Sequence, residues 1–146
     1  MPIRIPRPAL VLALAGLVPF VVLAAAIWLV PSDVAPVMLA FQLAWTAVNI
    51  AFLGAVHWGV ALARPDALGW PRLAWSVLPA VLGFLAQFMT TAPALLTLIL
   101  CVWLSFVVDA RAAAAGLLPG WYVQLRRLTA PVVVLSLGAT LLAVLI

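Results

Sequence analysis

Long apolar segments without charged residues constrain the fold of this chain more than any other feature. The clearest segment runs from Leu10 to Val30 without a single charge. A helix of that length rises about 30 Å, which matches the hydrocarbon core of a bilayer. The segment is longer than the apolar part of a signal peptide, about 7 to 15 residues, and no convincing cleavage site follows it. We therefore interpret it as a retained transmembrane helix.

The composition excludes a soluble globular fold. Hydrophobic residues make up 69% of the 146 positions and charged residues only 7%. A soluble domain has about half apolar and about a quarter charged residues, because its surface must face water. The apolar surface of this chain must instead face lipid. We predict an all-α integral membrane helical bundle.

Turn residues divide the apolar sequence into five predicted transmembrane helices. The breaks are Pro31 to Asp33, Arg64 to Asp66 and Thr90 to Pro93. Pro79 lies within the third helix and is expected to kink rather than break it, and the fourth helix can continue to a glycine stop at Gly116. The predicted spans, in one domain covering residues 1–146, are residues 10–30, 36–63, 70–89, 93–108 and 128–146.

The arginines indicate an orientation, because cytoplasmic loops carry an excess of basic residues. With five spans, all seven arginines fall on one side, whereas the two loops of the other side hold only Asp33. We predict a cytoplasmic N-terminus and an external C-terminus in the cell inner (plasma) membrane. The arginines are Arg4, Arg7, Arg64, Arg72, Arg111, Arg126 and Arg127.

Several classes of site are disfavoured. The net charge of +4 does not indicate nucleic-acid binding, because the arginines are spread between apolar segments. Cys101 is the single cysteine, which excludes an intramolecular disulfide and a closed cysteine metal site. A metal or haem site is poorly supported, because the possible ligands are one histidine, one cysteine and three scattered aspartates. We expect no metal, no cofactor and no nucleic acid.

The segment from Leu117 to Arg127 mixes aromatic, aliphatic and basic side chains. Tryptophan and tyrosine favour the headgroup level of a membrane, and arginine favours its water-facing side. We predict a short amphipathic element in the inner interface. Its interfacial residues are Trp121, Tyr122, Arg126 and Arg127.

The second helix carries a polar face. At 100° per residue, Gln42, Thr46, Asn49 and His57 fall within an arc of about 80°. Polar side chains in a bilayer face the bundle interior or a hydrated cavity. They either form a site or simply hold helices together through hydrogen bonds. The adjacent Trp58 is deep enough to line a pocket or to pack against another helix.

A ridge of small residues occupies another face of the same helix. It consists of Ala47, Ala51, Ala55 and Gly59, and Gly54 lies beside it. This spacing lets two helix backbones approach closely in lipid. The ridge predicts either packing within one chain or association between two copies.

His57 is the candidate functional residue. It is the only histidine and lies about 10 Å along the helix from Arg64, within the inner third of the membrane. Its ordinary pKa suits proton handling, whereas the structural alternative is a neutral imidazole bonded to a neighbouring helix. The sequence leaves both interpretations open.

The fourth helix offers a partner for His57. Thr97, Cys101, Ser105 and Asp109 recur every four residues, and Asp109 should lie at the depth of His57. Asp109 can pair with His57 or with the nearby Arg111, and the short separation favours Arg111. A hydrolytic site would also need a positioned nucleophile, for which only Ser105 is a candidate. We therefore assign no catalytic residue and expect no enzyme.

Two short motifs carry a resemblance. The segment FLGAVHWGVAL, residues 52–62, and the segment PGWYVQLRRLT, residues 119–129, resemble the transmembrane protein 69-like family, which is a domain of unknown function (number 3429). The resemblance implies a helical membrane protein and marks positions, but it implies no activity. The matching positions are Gly54, His57, Trp58, Gly59, Trp121, Tyr122, Leu125 and Arg126.

Two functions are compatible with these features. The first is a non-enzymatic protein that binds lipid, a membrane-protein partner or a second copy of itself, through the small ridge and the inner amphipathic segment. The second is a small-solute or proton-linked transporter element around Gln42, Asn49 and His57. A hydrated cavity along the polar arc would favour the second, and close packing would favour the first.

Overall fold

Five α-helices make up most of the computed structural model, which describes residues 4–146 and therefore begins after the first three residues of the predicted domain. The described residues contain no β-strand. A short 3-10 turn, Pro65–Ala67, separates the second and third helices. The helices are α1 Arg7–Leu29, α2 Ala35–Ala63, α3 Trp70–Ala86, α4 Thr91–Ala114 and α5 Gly120–Leu145.

The lengths of the helices fit a membrane bundle. Among the described residues, α1, α2, α4 and α5 are long and apolar enough to cross a bilayer. Helix α3 has 17 residues and rises about 25 Å, at the lower end of the usual range for a span. Pro79 lies inside α3 without ending it, as expected. The predicted all-α membrane bundle is confirmed.

The helices form a ring. Each packs against the next one along the chain, α5 returns to α1, and α2 touches α4 across the middle. Apolar residues such as Phe20, Ile50, Leu98 and Leu137 fill the centre. Large apolar side chains also cover the outside, which suits a surface in contact with lipid.

One hydrogen bond near each end of the bundle shows which segments lie together there. Arg64 Nη1 donates to the carbonyl oxygen of Gly116 at 3.2 Å, which joins the loop after α2 to the loop after α4. At the opposite end, Trp28 Nε1 donates to the carbonyl oxygen of Ala139 at 3.2 Å. The two arginine-flanked loops therefore lie together. We call this end the arginine end.

Gly116 ends helix α4 at the arginine end. Its φ is +72°, in the left-handed region that favours glycine. The amide of Gly116 donates to the carbonyl of Ala113, and the amide of Leu117 donates to the carbonyl of Ala112, both at 2.9 Å. This is the Schellman pattern of a helix C-terminus. The predicted glycine stop is confirmed, and α4 extends beyond the predicted end at residue 108.

The segment from Leu117 to Arg127 does not form a separate short element. Helix α5 begins at Gly120, about two turns before the predicted start at residue 128, and continues without a break. Arg126 is buried within the bundle, whereas Arg127 is exposed. Arg126 can be buried because it has an acidic partner inside the bundle. The position of this segment at the membrane interface stays a prediction.

The closest approach between helices joins α2 to α3. A Cβ placed on Gly54 would lie 2.6 Å from the backbone oxygen of Ser76, and one placed on Gly83 would lie 3.0 Å from Cα of Ala47. Gly54 and Ala47 therefore act in packing within the chain. Of the other small residues, Ala51 is half-buried, and Ala55 and Gly59 are exposed. Self-association through the exposed part stays a prediction.

Candidate functional site

A chain of buried polar side chains crosses the bundle near the arginine end. His57 Nε2 lies 3.0 Å from Asp109 Oδ1, and Arg126 Nε donates to Asp109 Oδ2 at 2.9 Å. The exposed fractions are 1% for His57, 1% for Asp109 and 5% for Arg126, so lipid and bulk water are both excluded. We call these three residues the His57–Asp109–Arg126 chain. Helices α2, α4 and α5 each contribute one member.

Both ring nitrogens of His57 have a partner on a neighbouring helix. Arg72 Nη1, which can only donate, lies 3.4 Å from His57 Nδ1. His57 Nε2 faces the Asp109 carboxylate. His57 is thus bonded to helices α3 and α4, and its role in proton handling stays a prediction. Arg72 is itself held by a 3.0 Å bond from Nε to the carbonyl oxygen of Ala67.

The expected pairing of Asp109 with Arg111 is wrong. Both carboxylate oxygens of Asp109 bond to other residues, and Arg111 is exposed on the surface. A buried carboxylate needs partners that are buried with it, and Arg126 and His57 meet that need while Arg111 keeps its charge in water. The sequence did not indicate Arg126, because a basic residue beside Trp121 and Tyr122 has the pattern of an interface.

The rest of the polar arc does not join this chain. Gln42 is fully buried near the other end of the bundle, where Thr140 Oγ1 donates to its Oε1 at 2.7 Å. Thr46 Oγ1 donates to the carbonyl oxygen of Gln42, within the helix. Trp58 is 46% exposed on the outer surface and lines neither of the two cavities described below. Only His57 of the predicted arc therefore belongs to the buried chain.

A cavity of about 360 Å³ lies beside Arg126 of the His57–Asp109–Arg126 chain, and we call it the main cavity. Helices α1, α2 and α5 supply nearly all of its lining, which is mostly apolar and includes Leu12, Phe20 and Leu53. Its polar lining comes from residues such as Asn49, Tyr122 and Arg126. Asn49, a predicted site residue, donates from Nδ2 to the carbonyl oxygen of Trp45 at 3.0 Å.

Two donors beside the main cavity lack partners. Among the described residues, Arg126 Nη2 and the hydroxyl of Tyr122 are buried without a hydrogen bond. A buried donor that remains unpaired costs about 1 to 3 kcal/mol, so such groups call for an explanation. Arg126 uses Nε for Asp109 and retains further N–H donors on the same guanidinium. The polar end of the cavity can thus donate hydrogen bonds.

A second cavity, of about 260 Å³, lies at the arginine end. We call it the arginine-side cavity. His57, Arg72 and Arg111 line it together with Trp75. His57 lines this cavity and Arg126 lines the main cavity, so the His57–Asp109–Arg126 chain joins the walls of both.

The His57–Asp109–Arg126 chain does not place a base beside a nucleophile. Ser105 Oγ is buried and makes no hydrogen bond to His57 or to any other described residue. A serine nucleophile requires a base within hydrogen-bond reach. Within residues 4–146, no three His, Cys, Asp or Glu side chains lie close enough together to hold a metal ion.

A surface ion pair marks the loop after α2. Arg64 Nη2 lies 2.8 Å from Asp66 Oδ2, and both side chains are exposed. The hydrogen bond from Arg64 is the main cause that holds the pKa of Asp66 below its ordinary value, and the same bond raises the pKa of Arg64. The pair is open to solvent, so salt and water screen it. The ion pair of Asp66 is thus exposed to solvent, whereas the ion pair of Asp109 with Arg126 is buried.

Comparison with known proteins agrees with the architecture. A protein-family model described as "Protein of unknown function (DUF3429)" matches residues 5–142. Transmembrane protein 69 of Xenopus tropicalis is 33% identical over 142 residues, covering 94% of this chain and 54% of the relative. Transmembrane protein 69 of Mus musculus is 30% identical over 144 residues, covering 94% of this chain and 56% of the relative.

The chain thus spans about half the length of the curated relatives that it matches. No solved structure matches it. The family match covers helices α1 to α4, helix α5 as far as residue 142, and every residue of the His57–Asp109–Arg126 chain. This protein is a multi-pass membrane protein that belongs to the family described as protein of unknown function (DUF3429).

Proposed function

We propose that this protein is a non-enzymatic lipid-binding protein of the cell inner membrane, and that the main cavity holds the lipid. The observation that carries the proposal is an apolar cavity with Arg126 at its polar end. Its volume of about 360 Å³ falls within the range of small-molecule sites, about 300 to 1,000 Å³. An acyl chain fits the apolar lining.

The charge balance at Arg126 specifies the polar part of such a ligand. Asp109 already neutralises Arg126 through a 2.9 Å bond, so the pair has no net charge to attract an anion. Arg126 Nη2 still lacks an acceptor. An ester carbonyl or a hydroxyl oxygen would supply one without adding charge. We therefore expect a lipid with a neutral acceptor group.

Binding of a fluorescent acyl ligand tests the proposal. The probe is a dansyl-labelled fatty acid methyl ester, and energy transfer from tryptophan, including Trp121 in the cavity lining, reports its binding. Leu53→Trp fills the main cavity and should weaken binding at least tenfold. Val48→Trp places the same ring on the exposed face of α2 and is the matched control. Equal binding by wild type and Leu53→Trp would refute the proposal.

A proton-linked transporter element is the second candidate. The favouring observation is that His57 borders the arginine-side cavity, while Arg126, two hydrogen bonds away, borders the main cavity. Proton transfer would use His57 and Asp109, because the guanidinium of Arg126 keeps its protons and has no acceptor atom. Gln42, by contrast, is packed against Thr140 and offers no continuation of the path.

Flux through reconstituted vesicles tests this second candidate. Proteoliposomes with an internal pH dye would show acidification after an external acid pulse, and His57→Ala should abolish it. The control is Trp58→Ala, which removes the neighbouring exposed side chain of α2. If wild type, His57→Ala and protein-free vesicles acidify at the same rate, the transporter role is excluded.

A further inference from the structure

We propose that the arginine-side cavity is a binding site for a phosphate group, independent of the lipid proposed for the main cavity. Arg72 at the start of α3 and Arg111 near the end of α4 line this cavity from two sides. His57 also lines the cavity and is almost completely buried. Basic pockets of this kind, between transmembrane helices at the membrane boundary, suit phosphate-bearing headgroups.

The charge of the cavity is not compensated within its lining. Two arginines line it, and none of the described lining residues is acidic. The nearest buried acid in the hydrogen-bond network, Asp109, is already paired with Arg126. The exposed Asp66 pairs with Arg64, which is not a lining residue. An anion is therefore the ligand that balances this site.

The arrangement of donors favours phosphate over a simple halide. Arginine presents a planar fork of N–H groups that matches two oxygens of a phosphate. Arg72 is pre-oriented, because its Nε bonds to the Ala67 carbonyl and its Nη1 points to His57. Its Nη2 and the whole guanidinium of Arg111 are left to bind oxygens from two directions. A ligand with several oxygens is thus better matched than a spherical ion.

The position of the cavity agrees with a headgroup. Trp75 lines it, and tryptophan prefers the level of the lipid headgroups. The cavity also contains Leu117, in the loop after Gly116, so it reaches the end of the bundle. A phosphate can enter from the membrane surface or from the aqueous side. Both sources present the same chemical group.

The experiment has one arm for each source. In the first arm, purified protein in neutral detergent is titrated with short-chain phosphatidylglycerol, with short-chain diacylglycerol as the phosphate-free comparison, and retention is measured by native mass spectrometry. In the second arm, inorganic phosphate is added and the line width of its phosphorus NMR signal is measured. Wild type, Arg72→Gln, Arg111→Gln and Arg127→Gln are compared in both arms.

We expect wild type to bind in at least one arm, and Arg72→Gln and Arg111→Gln to weaken that binding at least tenfold. Arg127→Gln, an exposed arginine outside both cavities, should bind as wild type does. Binding in the first arm alone identifies a lipid headgroup, and broadening in the second identifies free phosphate. No phosphate-dependent binding in either arm, or an equal loss in Arg127→Gln, overturns the proposal. Arg111 is exposed, so its variant should fold even if Arg72→Gln does not.

Discussion

At the scale of single residues, Asp109 is the buried acidic side chain among the residues that the structure describes. It is 1% exposed and accepts hydrogen bonds from His57 and Arg126 on two other helices. Burying a carboxylate is costly unless its partners are buried with it. Both partners of Asp109 are buried, and this explains why an acid can persist in an apolar helix.

Replacing Asp109 should destabilise the protein strongly. Asp109→Asn leaves the buried guanidinium of Arg126 without its counter-charge, and we expect a loss of about 3 to 5 kcal/mol in the free energy of unfolding. Unfolding in mixed micelles of neutral detergent and dodecyl sulfate measures the loss. Asp66→Asn removes a carboxylate whose ion pair is exposed, and it should leave the unfolding curve unchanged. Equal curves for Asp109→Asn and wild type would contradict the importance of the buried pair.

The hydrogen bond between Gln42 and Thr140 should contribute much less. Polar pairs between membrane helices couple by about 0.6 kcal/mol on average and about 1.7 kcal/mol at most. A double-mutant cycle with Gln42→Leu and Thr140→Val should give a coupling energy in that range. A coupling as large as the effect of Asp109→Asn would show that this pair is not simple helix packing.

The sequence predicted the depth of His57 and Asp109 but not the complete set of partners. Helical rise alone places both residues near the arginine end, and Cys101 and Ser105 of the four-residue stripe of α4 are buried like Asp109. The sequence favoured Arg111 over His57 as the partner of Asp109 because it shows separation along the chain, not distance across helices. Arg126 lies 17 residues from Asp109, and only tertiary packing brings them together.

At the scale of helices, α2 and α3 form the closest packed pair. Gly54 faces the backbone of Ser76, and Gly83 faces the backbone of Ala47. Backbone atoms cannot move aside as the tip of a flexible side chain can. The two glycines therefore allow these helices to pack this closely, because neither carries a Cβ that would meet the facing backbone.

A methyl group at Gly54 should separate the two helices. Gly54→Ala brings Cβ to 2.6 Å from a backbone oxygen, and we expect a destabilisation of about 1 to 3 kcal/mol. Gly59→Ala, in the same helix, meets nothing within 4 Å and should be neutral or slightly stabilising. The unfolding assay described for Asp109 compares them. Equal stability of the two variants would show that the close approach does not matter.

Helix boundaries were predicted well where turn residues mark them and poorly where charge was the guide. The end of α4 is marked by Gly116, whose positive φ only a few residue types tolerate. The predicted span at residue 128 follows the charges of Arg126 and Arg127, whereas helix α5 begins at Gly120. The two adjacent arginines have opposite environments, one buried and one exposed. A local charge pattern cannot distinguish them.

At the scale of the whole molecule, the arginine end defines the orientation. Hydrogen bonding between Arg64 and Gly116 brings the arginine-flanked loops together, and the loop that contains Asp33 follows α1 at the other end. The positive-inside rule predicts that the arginine end faces the cytoplasm. The bundle geometry agrees with a single orientation of the whole molecule, in which consecutive helices run in alternate directions.

Cysteine labelling tests that orientation. In a Cys101→Ser background, Asp33→Cys should react with a membrane-impermeant maleimide in intact cells, and Asp66→Cys should react only after permeabilisation. Both aspartates lie in exposed loop positions, so accessibility within the protein is matched. The reverse pattern of labelling would show that the arginine end faces outward.

The pairing of Asp109 with Arg126 also bears on how the chain enters the bilayer during synthesis. A lone arginine or aspartate inside a span opposes insertion, by about 2.5 to 3.5 kcal/mol at the bilayer centre and by less toward the helix end where Arg126 and Asp109 lie. The two residues belong to consecutive helices, and their side chains neutralise each other at 2.9 Å. We expect α4 to remain at the insertion machinery, outside the lipid, until α5 has been synthesised. The last two helices would then partition into lipid together, as a hairpin.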